Sequence, residues 1–254
     1  MKNTYGFIAF ILLNFASVLL LAPTSHAADI LYIGDSHSTG CFGRELDATL
    51  RTIKKTDAAD KLAAVITQAS CGTASSHWLK AKGHVTRCGA LVCDEAGTCD
   101  SRSGKTDSIG SLLDKAKPKV TVVALGTNMI KGKRDQTESE TRSLIMKIKE
   151  AGSQCIWIGP PQAALFFSPL TKFNEFVEKL EAIVESEGCR FVSSTDKTSR
   201  ENLNDSMGLH YGCKDAQNWA IKVAPVVKPL VEAGLSQDAS LSDSDTPTTA
   251  PVSK

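Results

Sequence analysis

The run Val120-Thr121-Val122-Val123-Ala124-Leu125 is apolar at nearly every position. A strand with one wet face alternates apolar and polar residues. One that is apolar throughout belongs inside a parallel sheet covered on both sides. Four other β-type runs lie along the chain: Ile30-Leu31-Tyr32-Ile33, Ala63 to Thr67, Cys155 to Ile158 and Cys189 to Ser193. Helical spacing fills the intervals. Phe42, Leu46, Leu50 and Ile53 predict a first helix reaching about Lys55, and a short helix spans about Ser108 to Lys115. A polar helix follows from about Gln136 to Ala151. Leu170, Phe173, Val177, Leu180 and Val184 mark the next, and Trp219, Val223 and Val226 or Val227 the last, from about Lys214 to Glu232. This alternation predicts an α/β domain: a five-stranded parallel sheet with helices on both faces.

Both ends of the 254-residue chain stand apart from that pattern. Lys2, an apolar stretch from Phe7 to Leu21 and the small residues of Thr24-Ser25-His26-Ala27-Ala28 are the marks of a secretory leader cut after Ala27. An uncleaved anchor is the competing reading, but the stretch is short for a membrane span. Residues 1–27 are therefore expected to be a signal peptide that leaves no stable membrane span. Ser, Asp, Thr, Pro and Ala make up residues 236–254 almost entirely, so a disordered tail is expected there. Residues 28–235 remain for the domain. Its charges nearly balance, with 29 Lys and Arg against 28 Asp and Glu and no basic stripe, which argues against nucleic acid as a partner.

All eight cysteines, at 41, 71, 88, 93, 99, 155, 189 and 213, follow the leader. An even number in an exported chain reads as disulfides. Zinc on Cys88, Cys93 and Cys99 is the alternative; it lacks a tight CxxC pair, and an oxidising compartment works against thiolate ligands. Cys155 and Cys189 each begin a strand, so a bridge between neighbouring strand starts is open to them. Residues 79–107 follow neither period, and read as a cysteine-rich insertion held by cross-links.

Right-handed crossovers place the carboxyl ends of parallel strands along one sheet edge. Ser36 follows the first strand in Gly34-Asp35-Ser36-His37-Ser38, Gly72 follows the second, and Asn128 follows the third in Gly126-Thr127-Asn128. Ser36 reads as a helix cap or a nucleophile, and Gly72 as a plain turn or a free amide donor. The edge of an open α/β sheet is where such folds bind ligands. His210, in Asp205-Ser206-Met207-Gly208-Leu209-His210, is either an exposed loop residue or a base returned to that edge from the far end of the chain.

These segments, in this order, resemble the four sequence blocks of the SGNH (GDSL-type) hydrolases, over Asp29 to about Gly234. The resemblance implies a flavodoxin-like three-layer α/β/α sandwich and a serine esterase that needs no metal or other cofactor. It makes Ser36 the nucleophile and His210 the general base. The oxyanion hole falls to the amides of Ser36 and Gly72 with the Asn128 side chain. One departure stands out. The family's aspartate lies three residues before the histidine, where this chain has Met207. Asp205, two residues further back, either reaches the imidazole through a bulged loop or leaves a Ser-His dyad oriented by a main-chain carbonyl.

The expected function is an exported, periplasmic or secreted esterase acting on an ester-bearing substrate. The expected substrate is an O-acetylated cell-wall or extracellular glycan, with His77, Trp78 and the insertion as one wall. Trp78 as plain core is the competing reading for that residue. A lipid ester, an O-acetyltransferase and a non-catalytic glycan-binding protein on the same fold are the alternatives.

Overall fold

The computed structural model describes residues 28–236, apart from 56–57, 59, 87, 102–103, 131–133 and 165–169. The proposed leader and residues 237–254 lie outside the described residues. In chain order the elements are β1 Ile30–Gly34, α1 Ser36–Thr39, α2 Cys41–Leu50, β2 Val65–Ser70, α3 Ser75–Trp78, β3 His84–Val85, β4 Ala90–Cys93, β5 Cys99–Asp100, β6 Lys105–Thr106, α4 Ile109–Ala116, β7 Val120–Ala124, α5 Arg134–Glu150, β8 Gln154–Ile158, α6 Leu170–Ser186, β9 Arg190–Val192 and α7 Cys213–Ser236.

The main sheet has seven strands in the order β5-β4-β2-β1-β7-β8-β9. β2, β1, β7, β8 and β9 are parallel and are the five strands expected. The two additional strands come from the insertion, with β4 antiparallel to β2 and β5 antiparallel to β4. The five-stranded, all-parallel sheet is corrected accordingly, and so is the picture of residues 79–107 as irregular. Ala90-Leu91-Val92-Cys93 is a short apolar strand that pairs with β2, which would otherwise be an unpaired edge of the sheet. β3 and β6 form a separate two-stranded ribbon.

Successive residues of each parallel strand face opposite layers. Ile30, Tyr32, Val120, Val122, Ile156 and Ile158 pack under α2 and α7, against Phe42, Leu46, Trp219 and Val223. Leu31, Ile33, Val123 and Trp157 pack on the other face, against Leu112 and Leu113 of α4, Leu144 and Ile148 of α5, and Leu180 and Val184 of α6. Truncating any of the large buried residues to Ala would cost about 2–5 kcal/mol.

Three boundaries differ from the periodicity. α2 stops at Leu50, not near Lys55, although Ile53 stays buried: Arg51 turns back to clasp Asp47 and donates to the Asp94 and Glu95 carbonyls of the insertion. β2 is shifted along the chain from the expected Ala63 to Thr67: it starts two residues later and ends three residues later, running Val65–Ser70. α7 continues to Ser236 through Pro225 and Pro229, both on its solvent face, where water can serve the carbonyls they leave unbonded. The cysteines form four disulfides, Cys41–Cys213, Cys71–Cys88, Cys93–Cys99 and Cys155–Cys189.

Candidate active site

β1 ends at Gly34, and the chain turns at once into α1. A Cβ on Gly34 would lie 2.0 Å from Ser38 Oγ, so only glycine lets the strand and the helix approach this closely. Asp35 caps the turn by accepting a hydrogen bond from the His37 amide at 3.0 Å, and Ser38 accepts one from buried Tyr32 at 2.7 Å. The cap reading therefore belongs to Asp35, while Ser36 starts α1 with its side chain partly open to solvent. Asp35 is almost wholly buried, which pushes its carboxyl up to about 7 despite the amide hydrogen bonds it accepts.

Two links draw the second and third strand ends to this turn. Buried Thr73 places its Oγ1 2.7 Å from the Ser70 carbonyl and 3.2 Å from that of Gly34. Its own carbonyl accepts a hydrogen bond from Asn128 Nδ2 at 3.0 Å. Between them, Gly72 is exposed at φ +79°, a left-handed conformation with open space around it. Among the described residues, neither the Ser36 nor the Gly72 amide donates to a main-chain acceptor. Thr73 escapes a motif-based reading because its contribution is a tie between loops, not a recognisable catalytic group.

The fourth segment arrives from the loop before α7. Leu203 bridges to Tyr211, the Asn204 amide donates to the His210 carbonyl, and the Gly208 amide donates to that of Asp205. This turn folds the chain back so that Asp205 Oδ2 lies 2.5 Å from His210 Nδ1, while Oδ1 accepts from the Leu209 amide at 2.8 Å. Met207 is left exposed on the turn. His210 Nε2 lies 2.9 Å from Ser36 Oγ. A carboxylate can only accept, so Nδ1 carries the ring proton and the Nε2 lone pair faces the serine hydroxyl. Burial raises the Asp205 carboxyl, but the hydrogen bonds from the Leu209 amide and from His210 outweigh it and hold the group below its ordinary value. Ser36, His210 and Asp205 thus stand in one hydrogen-bonded line, the geometry that acyl transfer asks of a nucleophile, a base and an orienting acid.

His37 sits beside this line. Its ring is buried 5.1 Å from that of His210 and meets Trp219 edge-on at 5.5 Å. Burial first, and the His210 charge second, push its pKa down to about 3, so it stays neutral. Trp78 is 1 % exposed and belongs to the core beneath α4 and α5, so of its two readings the core holds and the sugar-binding wall does not. His77 remains partly exposed and packs against His84 of the insertion at 4.6 Å. The cysteines proposed as zinc ligands are bonded in pairs. The cluster of Asp47, Cys93 and Cys99 does not fit a metal either, since its sulfurs are joined and its carboxylate serves Arg51 and Thr67.

No protein-family model matches the sequence, and no curated protein matches it. Solved structures do. TesA superimposes with a TM-score of 0.55 at 17% identity, covering 79% of this chain and 98% of its own. A protein from Slackia heliotrinireducens, provisionally named an SGNH hydrolase, gives 0.51 at 16%, covering 79% and 99%. A mutant of Axe2, an acetyl-xylooligosaccharide esterase from Geobacillus Stearmophilus, gives 0.50 at 12%, covering 79% and 93%. The chain has the three-layer α/β/α fold of the SGNH (GDSL-type) hydrolases.

Proposed function

We propose that the protein is an exported serine esterase that removes small acyl groups, acetyl foremost, from a hydroxyl-rich substrate such as an extracellular glycan. The observation that carries this reading is the hydrogen-bonded line Asp205–His210–Ser36. Ser36 Oγ attacks the ester carbonyl while His210 Nε2 takes its proton. The oxyanion that forms lies among the amides of Ser36 and Gly72 and the Asn128 side chain. His210 then returns the proton to the departing alcohol, leaving an acyl-serine. A water attacks that ester, again giving its proton to His210, and the released acid restores Ser36. Asp205 keeps the imidazole in the required tautomer and stabilises it when charged.

The small acyl group and polar alcohol rest on the cavity beside Asn128. It measures about 160 Å³ and is lined by Ser75, Ser76, His77, Gln136 and Glu140, groups suited to hydroxyls. A fatty-acyl ester is the second reading, favoured by a mostly apolar groove of about 510 Å³ between α5 and α6 that begins at Met129 and Ile130. Four disulfides support export, and among the described residues no helix is long and apolar enough to cross a membrane.

The test is hydrolysis of p-nitrophenyl acetate and p-nitrophenyl palmitate by the purified protein beside Ser36→Ala. Acetate turnover that Ser36→Ala abolishes is expected. Wild-type rates no higher than the variant's on both esters would sink the esterase and favour the glycan-binding protein. Preference for palmitate would select the second reading. Transfer of acetyl to an added oligosaccharide faster than to water would make the protein a transferase.

A further inference from the structure

The nucleophile and the base come from segments 174 residues apart, yet they stand at hydrogen-bond distance. Of the four disulfides, Cys41–Cys213 joins these two segments. Cys41 opens α2, five residues after Ser36, and Cys213 opens α7, three residues after His210. Their Cα atoms are 5.2 Å apart. His210 belongs to no helix or strand; the Leu203–Tyr211 bridge, the Asn204 amide and the Tyr211 hydroxyl on the Gln162 carbonyl shape its loop, and Cys213 fixes where that loop enters α7.

Helix packing alone does less. Phe42 stacks on Trp219 with ring centroids 3.6 Å apart, and Leu46 and Leu50 share a cluster with Val223 and Val227. These contacts fix the bodies of α2 and α7. They lie beyond the joint from which the histidine loop springs. A bridge serving stability alone could equally sit at the opposite end of the pair, where Lys228 meets Thr52. It sits instead at the end that faces the site. Cys213 is exposed and Cys41 half-buried, so the sulfurs do not fill the core either. Cys155 and Cys189 offer the contrast, both buried at the amino ends of β8 and β9, the edge of the sheet away from Ser36.

We infer that the Cys41–Cys213 bridge is a positioning element of the site, holding the His210 loop so that Nε2 meets Ser36 Oγ. The inference rests on the esterase reading above. A small misplacement of reacting groups is enough to cost about 100-fold in rate, so the bridge should be visible in turnover and not only in melting.

The experiment compares Cys41→Ser/Cys213→Ser with Cys155→Ser/Cys189→Ser and wild type on p-nitrophenyl acetate, well below each Tm. The first pair is expected to lower kcat about 10- to 100-fold with little change in KM, a loss set by geometry. The second is expected to lower Tm and leave kcat as it was. Equal kcat for the folded Cys41/Cys213 variant and wild type, or equal losses for both pairs, would overturn the inference. If wild type itself shows no turnover above Ser36→Ala, the esterase reading has failed instead. The bridge is then judged on a crystal structure of the variant: a Ser36–His210 separation beyond hydrogen bonding supports it, and an unchanged one refutes it. Should the serine pair not fold, folded wild type is partly reduced with a water-soluble phosphine and alkylated. Loss of kcat in step with labelling of Cys213 is expected; loss in step with another cysteine, or none, counts against the bridge.

Discussion

Asp205 reaches His210 across a spacing that a linear motif would reject. The turn closed by the Gly208 and Leu209 amides shortens the path, so the acid two residues further back than the family pattern occupies the place that Met207 would have been expected to fill. Sequence spacing measures contour, whereas catalysis depends on distance in space, and a single tight turn separates the two. Asp205→Asn is expected to lower kcat on the order of 10³- to 10⁴-fold, because a neutral amide can stabilise the wrong tautomer and no longer balances the imidazolium. Met207→Asp on that background should not restore the rate, since residue 207 stands exposed on the turn. A rate for Asp205→Asn within a few-fold of wild type would mean that a dyad suffices. The β1–α1 turn that carries Ser36 holds a pH prediction at Asp35 and His37. Burial raises Asp35 from its ordinary value to about 7, so the folded state holds a proton that the unfolded chain has lost, and stability falls as pH rises from about 4 to about 7. Burial lowers His37 to about 3, so the unfolded chain binds the extra proton, and stability rises with pH from about 3 to about 6.5. The two slopes oppose each other over most of that window. Asp35→Asn should expose the rising slope and His37→Gln the falling one, read by urea unfolding at intervals from pH 4 to 7.5. Parallel profiles for both variants would show that burial does not set these charges.

Among the elements, those with a full apolar period were legible and those defined by pairing were not. Val120 to Ala124 and the α6 face from Phe173 to Val184 declare themselves because both are long and buried on a regular repeat. β4 carries only four residues, all of them paired with β2 far back in the sequence, and a disulfide with Cys99 replaces part of the apolar signal. Nothing local distinguishes it from loop. Ile53 shows the opposite error: its spacing marks the core correctly, while the Arg51–Asp47 clasp ends the helix before it. The β1–α1 turn is where element geometry meets chemistry, through Gly34. A Cβ there would also lie 2.3 Å from Ser38 Cβ, and Ser38 is itself pinned by Tyr32. Gly34→Ala must therefore push α1 away from β1 and carry Ser36 with it. Overpacking of this kind costs about 1–3 kcal/mol. Turnover should fall by at least about tenfold while the protein stays folded, since the displacement acts directly on Ser36, the proposed nucleophile. Thermal melting and kcat measured on one preparation check both parts, and an unshifted Tm with full activity would contradict the close approach at this turn.

For the whole molecule, the disulfides divide by the length of chain they close. Cys41–Cys213 spans 172 residues, Cys155–Cys189 spans 34, Cys71–Cys88 spans 17 and Cys93–Cys99 spans 6. In the chain-entropy account, each constrains the unfolded state by an amount that grows with the logarithm of the loop, about 5 kcal/mol for the longest and about 2 kcal/mol for the shortest. At this size each kcal/mol moves Tm by roughly 2–4 °C. Replacing Cys41 and Cys213 with serine should lower Tm by roughly 10–20 °C, and replacing Cys93 and Cys99 by roughly 4–8 °C. The other two pairs should fall between. Calorimetry on the four paired variants reads the order directly. An inverted order would mean that native-state contacts at each bridge, not the unfolded chain, set its contribution. That outcome would single out Cys93–Cys99, whose strands β4 and β5 hold the outer edge of the sheet that Arg51 ties back to α2.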